Sequence, residues 1–165
     1  MDIPCRGSCS TAEECLICDE ADKTSMTGYR VFDGIELVYN DIEKDTCGIE
    51  RSARGRFFEI NHCRDGRVEY EADGEFYYLT PGDLSVSRSS CIGRDSYFPL
   101  GHYRGISIIV DLEKAPGCLS CVLDDVDVSP DALVKKFCTD RRGFIVRAEE
   151  SVAHIFSELY SVPRS

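Results

Sequence analysis

Four cysteines near the amino terminus follow the spacing Cys5-x3-Cys9-x5-Cys15-x2-Cys18. Four thiolates could close a tetrahedral zinc shell, and the Cys-x2-Cys half has suitable spacing. The first pair is wider, and zinc ribbons usually separate their pairs by more residues. Spacing does not fix ligand geometry, so the expected cofactor is none, with zinc at these thiols as the alternative. A second set, Glu59, His62 and His102, could hold one metal ion, because ligands can converge from separate strands. The chain has three histidines but no His-x-His pair, and His154 falls on a terminal helical pattern. Isolated strand histidines are more often ordinary hydrogen-bonded side chains, so no catalytic metal centre is expected. Cys118-x2-Cys121 lacks the preceding strand and following amphipathic helix of a thioredoxin motif. No Ser-His-Asp arrangement, phosphate-cradling glycine loop or paired acid site stands out, and Asp124-Asp125 lies in a polar loop. The chain is expected to be non-catalytic.

What remains is binding chemistry, which depends on how strands alternate. In Arg67–Ala72, Val68, Tyr70 and Ala72 share one face, while Arg67, Glu69 and Glu71 share the other. The apolar set should point inward. The same argument sends Leu84, Val86, Ile106, Ile108 and Val110 inward. Tyr70, Tyr78 and His62, with Glu59 and His102, are then the candidate ligand-binding groups in a pocket lined mainly by apolar surface. The competing reading has the tyrosine rings simply filling the interior, hydroxyls toward solvent.

The elements that must position these groups are legible as turns. Asp33-Gly34, Asp65-Gly66 and Asp73-Gly74 separate alternating runs and predict an antiparallel meander. The aromatic run Glu75-Phe-Tyr-Tyr-Leu-Thr80 meets the tight corner Pro81-Gly82-Asp83, then the alternating Leu84–Arg88. The β-branched run Ile106–Leu112 follows. This order is how a small barrel of the cupin type is wound, a double-stranded β-helix or jelly roll that can enclose one small ligand. Three regions are expected: a weakly ordered, Cys-rich segment over 1–27 with a short helix near Thr11–Cys18, a barrel over 28–112, and a helical segment over 113–165. In the last, Ser129-Pro130 reads as a helix start, Phe144–Arg147 as an extended link, and Ala148–Tyr160 as a helix with one apolar face. That face could dock on its own barrel or pair with a second protomer.

Composition narrows the function classes. At 165 residues, 42% of them hydrophobic, one domain with a real core is affordable. The net charge is −11, with 30 acidic against 19 basic residues, and no basic stripe is present. Direct nucleic-acid binding by this chain is therefore not expected. No run approaches the roughly 18 apolar residues of a membrane span, and Met1–Gly7 lacks the features of a signal peptide. The expected location is the cytoplasm, with no membrane partner. Ten cysteines in that setting suggest thiols or metal ligands rather than disulfides.

Four segments, Gly34–Asn40, Glu59–Glu69, Leu79–Leu84 and Ser96–Ile106, occur in the order found in sensor domains of AraC-type transcriptional regulators. The resemblance covers about Met26 to Pro163 and lies in the combined order, since a Pro-Gly-Asp corner occurs in many barrels. It implies a cupin-like effector-binding domain followed by dimerisation helices, with a small-molecule effector and a homodimer partner. DNA would be gripped only through a helix-turn-helix domain, and this chain carries no such pattern. It would be either an excised sensor fragment or a stand-alone sensor. The rival readings are a small metal-dependent cupin enzyme, an isomerase or oxygenase, and a structural dimerisation module without a ligand.

Overall fold

The computed structural model describes residues 14–19, 24–46, 56–72, 74–88, 96–118, 128–138 and 144–162. These hold nine strands, β1 (Glu14–Asp19), β2 (Thr24–Phe32), β3 (Ile35–Ile42), β4 (Phe57–Gly66), β5 (Val68–Ala72), β6 (Glu75–Leu79), β7 (Asp83–Ser87), β8 (Tyr103–Asp111) and β9 (Phe144–Arg147). Two helices, α1 (Pro130–Phe137) and α2 (Glu150–Ser161), complete them. Among the described residues no helix is long and apolar enough to cross a membrane.

All pairings are antiparallel, and their order defines the fold. The larger sheet runs β1-β2-β3-β8-β4-β7-β9. The smaller sheet is the β5–β6 hairpin, extended by bridges that place Tyr97 beside Glu69 and Thr46 beside Tyr97. Its order is therefore Thr46, Tyr97, β5, β6. The chain alternates between sheets so that the late strand β8 lies between β3 and β4, while the late Tyr97 segment lies between Thr46 and β5. That interleaving is the jelly roll of cupins. The fold is mainly β with two helices after the barrel, as the strand order suggested.

Local chemistry explains the corners. Gly34, Gly66, Gly74 and Gly82 all adopt positive φ, between 72° and 88°. Gly66 is required twice over, because a Cβ there would lie 2.2 Å from the His102 carbonyl oxygen. Helix α1 begins as its sequence predicts: Ser129 Oγ accepts the Ala132 amide at 3.1 Å and Pro130 occupies the first turn.

Two expectations are corrected. Residues 14–19 form strand β1, paired with β2, where a short helix near Thr11–Cys18 was expected. Glu13–Glu14 favour a first helical turn, but Leu16 and Ile17 lie where they extend an existing sheet edge, and tertiary pairing outweighs local propensity. Phe144–Arg147, read as an extended link, is extended and forms strand β9 on the β7 edge.

The second correction concerns facing. Ile106, Ile108, Val110, Leu84 and Val86 point out of the barrel, where the helices cover them. Helix α1 packs Leu133, Val134 and Phe137 on Phe58, Val86 and Val110. Helix α2 packs Phe156, Val152, Leu159 and Tyr160 on Tyr39 and Ile106. The barrel interior takes the alternate residues. At one end it is apolar, with Met26, Ile42, Val68, Leu79, Phe98 and Tyr103 all almost completely buried. A strand buried on both faces has no wet face, so hydrophobic alternation does not say which side is inward.

Candidate functional site

The two faces of β4 carry different chemistry at alternating positions. Inward are Glu59, Asn61 and Cys63; outward are Phe58, Ile60 and His62.

The inward face forms a polar layer with neighbouring strands. Ser107 Oγ donates to Glu59 Oε1 at 2.6 Å and accepts from the amides of Asn40 and Asn61, each at 3.0 Å. Tyr103 OH donates to Asn61 Oδ1 at 2.5 Å. Gly105 makes this reach available: a side chain there would meet the Tyr103 hydroxyl at 2.7 Å. Glu59 and Asn61 are 1% and 0% exposed, so this layer is sealed from solvent. The low dielectric strengthens such a network when its members satisfy one another. Ser85 and Ser87 on β7 lie opposite Asn61 and Glu59 and are also buried.

The outward face meets α2 and leaves a pocket of about 340 Å³ at that seam. Its walls are His62, Cys63 and Arg64 of β4, Gly82 at the β6–β7 corner, and Ala153, Ser157, Tyr160 and Ser161 of α2. The volume lies within the roughly 300–1,000 Å³ range of small-molecule sites. The His62 imidazole stacks on Phe156, ring centroids 4.5 Å apart and planes 10° from parallel. Its Nδ1 lies 3.4 Å from Tyr160 OH, which donates to the His62 carbonyl at 3.2 Å. Tyr39 OH donates to the Leu159 carbonyl at 2.8 Å and pins the end of the helix. Arg64 lies over the Tyr160 ring, 4.7 Å from its centroid. It is the extra residue where the β4–β8 register shifts between Cys63 and Asp65, a bulge that re-aims its side chain.

Burial sets the titration behaviour here. His62 is held below its ordinary value by desolvation, opposed in part by the Asp83 carboxylate. The Cys63 thiol is pushed up to about 12, first by burial and then by Asp83 and Asp65, so it is inert as a thiolate. Burial also raises the Tyr160 phenol, with Cys63 adding to the effect, and it stays a neutral hydrogen-bond donor.

The candidate residues therefore scatter. Glu59 and Tyr70 face the barrel interior, where Tyr70 stacks on Tyr77 at 5.6 Å. His62 faces the α2 seam. Tyr78 is 55% exposed on the outside of the small sheet, under the Arg67 guanidinium at 4.4 Å. His102 sits in the loop before β8, with Nε2 3.4 Å from Asp65 and Nδ1 3.1 Å from the Leu100 carbonyl. Glu59 and His62 leave opposite faces of β4, so with His102 outside they do not converge on one ion. Among the described residues no group of three or more His, Cys, Asp or Glu could hold a metal. The donor set of a mononuclear cupin metal is thus not met by Glu59, His62 and His102. Cys5 and Cys9 lie outside the described residues, and Cys15 and Cys18 fall on β1.

Sequence reading missed Arg64, Tyr160, Ser157 and Ser161 as pocket residues. One signal was present: Tyr160 and Phe156 share the apolar face of the terminal helix, so the strand carrying His62 had a candidate aromatic lid.

No protein-family model matches the chain, and no curated protein matches it. Among solved structures it is similar to the EutQ protein of Clostridium difficile, at 14% identity over 56% of this chain and 65% of that one, with a TM-score of 0.40. AerE from Microcystis aeruginosa gives 15% identity, 71% and 52% coverage, and a TM-score of 0.44. The AraC-like transcriptional activator CuxR gives 17% identity, 86% and 46% coverage, and a TM-score of 0.41. The chain spans between 46% and 65% of the length of these three proteins.

Proposed function

We propose that this chain is a non-catalytic sensor domain whose small-molecule effector occupies the seam between the barrel and α2, in the manner of an AraC-type regulator. The observation that carries the reading is that one pocket is walled by β4 on one side and by Ala153, Ser157, Tyr160 and Ser161 of α2 on the other. A ligand there contacts the docked helix directly, and binding must favour whichever helix position the pocket requires. The segment order shared with AraC-type sensors supports the same reading, with α2 passing the change to a homodimer partner or an attached DNA-binding domain. Typical couplings of this kind are about 1–3 kcal/mol, a five- to 150-fold change in affinity. Barrel-interior sensing at Glu59 has less support, because Glu59 and Asn61 are 1% and 0% exposed and their layer is shut off from solvent.

A thermal-shift screen of a polar small-molecule library tests the proposal, using the whole chain and a Ser157→Trp variant whose indole fills the pocket. Compounds that raise the melting temperature of the parent chain and not of the variant support it. Hits indifferent to Ser157→Trp, or no hits at all, contradict it, provided circular dichroism shows the variant folded.

A further inference from the structure

Resting on that reading, we infer that the seam pocket recognises a compact oxyanion, an organic carboxylate of a few carbons, through the Arg64 guanidinium. The chain is strongly acidic, and its described cations are mostly spoken for. Arg56 meets Asp131, Arg67 meets Glu69, Arg147 meets Asp83, and Arg104 meets Asp41, Glu43 and Asp65. Arg64 meets no carboxylate among the described residues; its guanidinium lies on the Tyr160 face at the pocket wall. An arginine whose guanidinium lies over an aromatic ring still has N–H donors to offer a planar, two-oxygen partner. The β4 bulge that re-aims Arg64 toward α2 is the backbone feature that puts it there.

The carboxylates nearest the pocket, Asp83 and Asp65, are engaged by other groups, although both still act on Cys63 as negative charge. Asp83 accepts from the Thr80 amide at 2.8 Å and the Thr80 hydroxyl at 2.7 Å, and faces Arg147 Nε at 3.4 Å. Asp65 faces Arg104 at 3.1 Å, a guanidinium it shares with Asp41 and Glu43. The carbonyl end of α2, ordinarily a negative pole, has its Leu159 oxygen bonded by Tyr39 at 2.8 Å and its Glu158 oxygen by Ser161 at 2.7 Å. The Ser157 hydroxyl has no partner among the described residues and lines the same wall, a second donor for the ligand. Apolar contact comes from Ala153 and the Tyr160 ring, so a bare inorganic ion would fill the pocket poorly.

The test is a two-dimensional NMR titration of the whole chain with sodium malonate, against sodium chloride at matched ionic strength and glycerol as a neutral probe. Malonate is expected to shift the Arg64 side-chain and α2 amide resonances saturably. Arg64→Gln should weaken that response about ten- to a hundredfold, the loss of charged hydrogen bonds, and Arg64→Lys should weaken it less. Arg64 is exposed, so both variants should fold, and their spectra show whether they do. A malonate response unchanged in Arg64→Gln, or reproduced by chloride, overturns the oxyanion inference. If glycerol or other neutral compounds shift α2 while malonate does not, the oxyanion inference falls and the sensor reading stands. If no compound shifts the seam, both fall.

Discussion

The inner and outer faces of the β4–β8 pair are built from the same two strands and behave oppositely. Inside, Glu59, Asn61, Ser107, Asn40 and Tyr103 bond one another in a layer closed to solvent. Outside, His62 and Arg64 lie under a helix that covers them incompletely and leaves a pocket of about 340 Å³. The inner layer is shut off from solvent but not fully paired, since the buried Asn40 Oδ1 has no hydrogen-bond partner among the described residues. The proposed site lies at the seam, where His62 and Arg64 border the pocket together with residues of α2.

Substitutions on the two faces should separate these roles. The largest effect is expected at Phe156, 4% exposed and the stacking partner of His62. Phe156→Ala removes about 3–5 kcal/mol of packing, seen as fast hydrogen exchange across 150–161 while β3, β4 and β8 keep their protection. Equal loss of protection in the barrel strands would erase the distinction between the faces. Next comes Ser107→Ala, which strips a shared partner from three buried groups. About 2–3 kcal/mol of global stability should be lost in urea denaturation, with the seam's ligand response intact in the folded fraction.

Acid should act on the outer face. With the docked His62 held below the ordinary 6.5, the docked state binds fewer protons than the undocked state. Docking stability from this group is therefore complete above 6.5 and is lost as pH falls below it. The groups facing His62 are Asp83 from β7, Arg64 from its own strand, and Tyr160 from α2. Exchange in α2, corrected for intrinsic pH dependence, should rise between pH 7.5 and about 5.5, and His62→Gln should flatten the rise. A profile identical in the variant would exclude His62 as its source. The smallest effects belong to Tyr78→Ala and His102→Ala. Both side chains lie outside barrel and seam, so each should change stability within about 0.5 kcal/mol and leave ligand responses unaltered.

Much of the architecture was readable because turns and caps are local. Asp33-Gly34 marks the β2–β3 hairpin and Gly74 lies at the β5–β6 turn. Asp65-Gly66 falls at the end of β4, which pairs with β7 and β8 and not with β5, so the expected continuous meander is instead a jelly roll. Ser129-Pro130 fixed the start of α1. The placement of Tyr70 inward followed from alternation in a strand with one charged face. For β4, β7 and β8 the same rule failed, since helices replace water on their outer side. Two later helices with apolar faces were themselves a hint that the barrel needed an apolar exterior, on Leu84, Ile106 and Ile108. Arg64 and Ser157 were hidden for another reason: their meeting depends on a bulge and on long-range docking, and neither leaves a local pattern.

The most direct measurement of the central claim is amide hydrogen exchange on the whole chain with and without a saturating seam ligand found in the screen. The account predicts that exchange slows across 150–161 and hardly changes in the β5–β6 hairpin. Protection confined to the barrel strands, with α2 untouched, would contradict it.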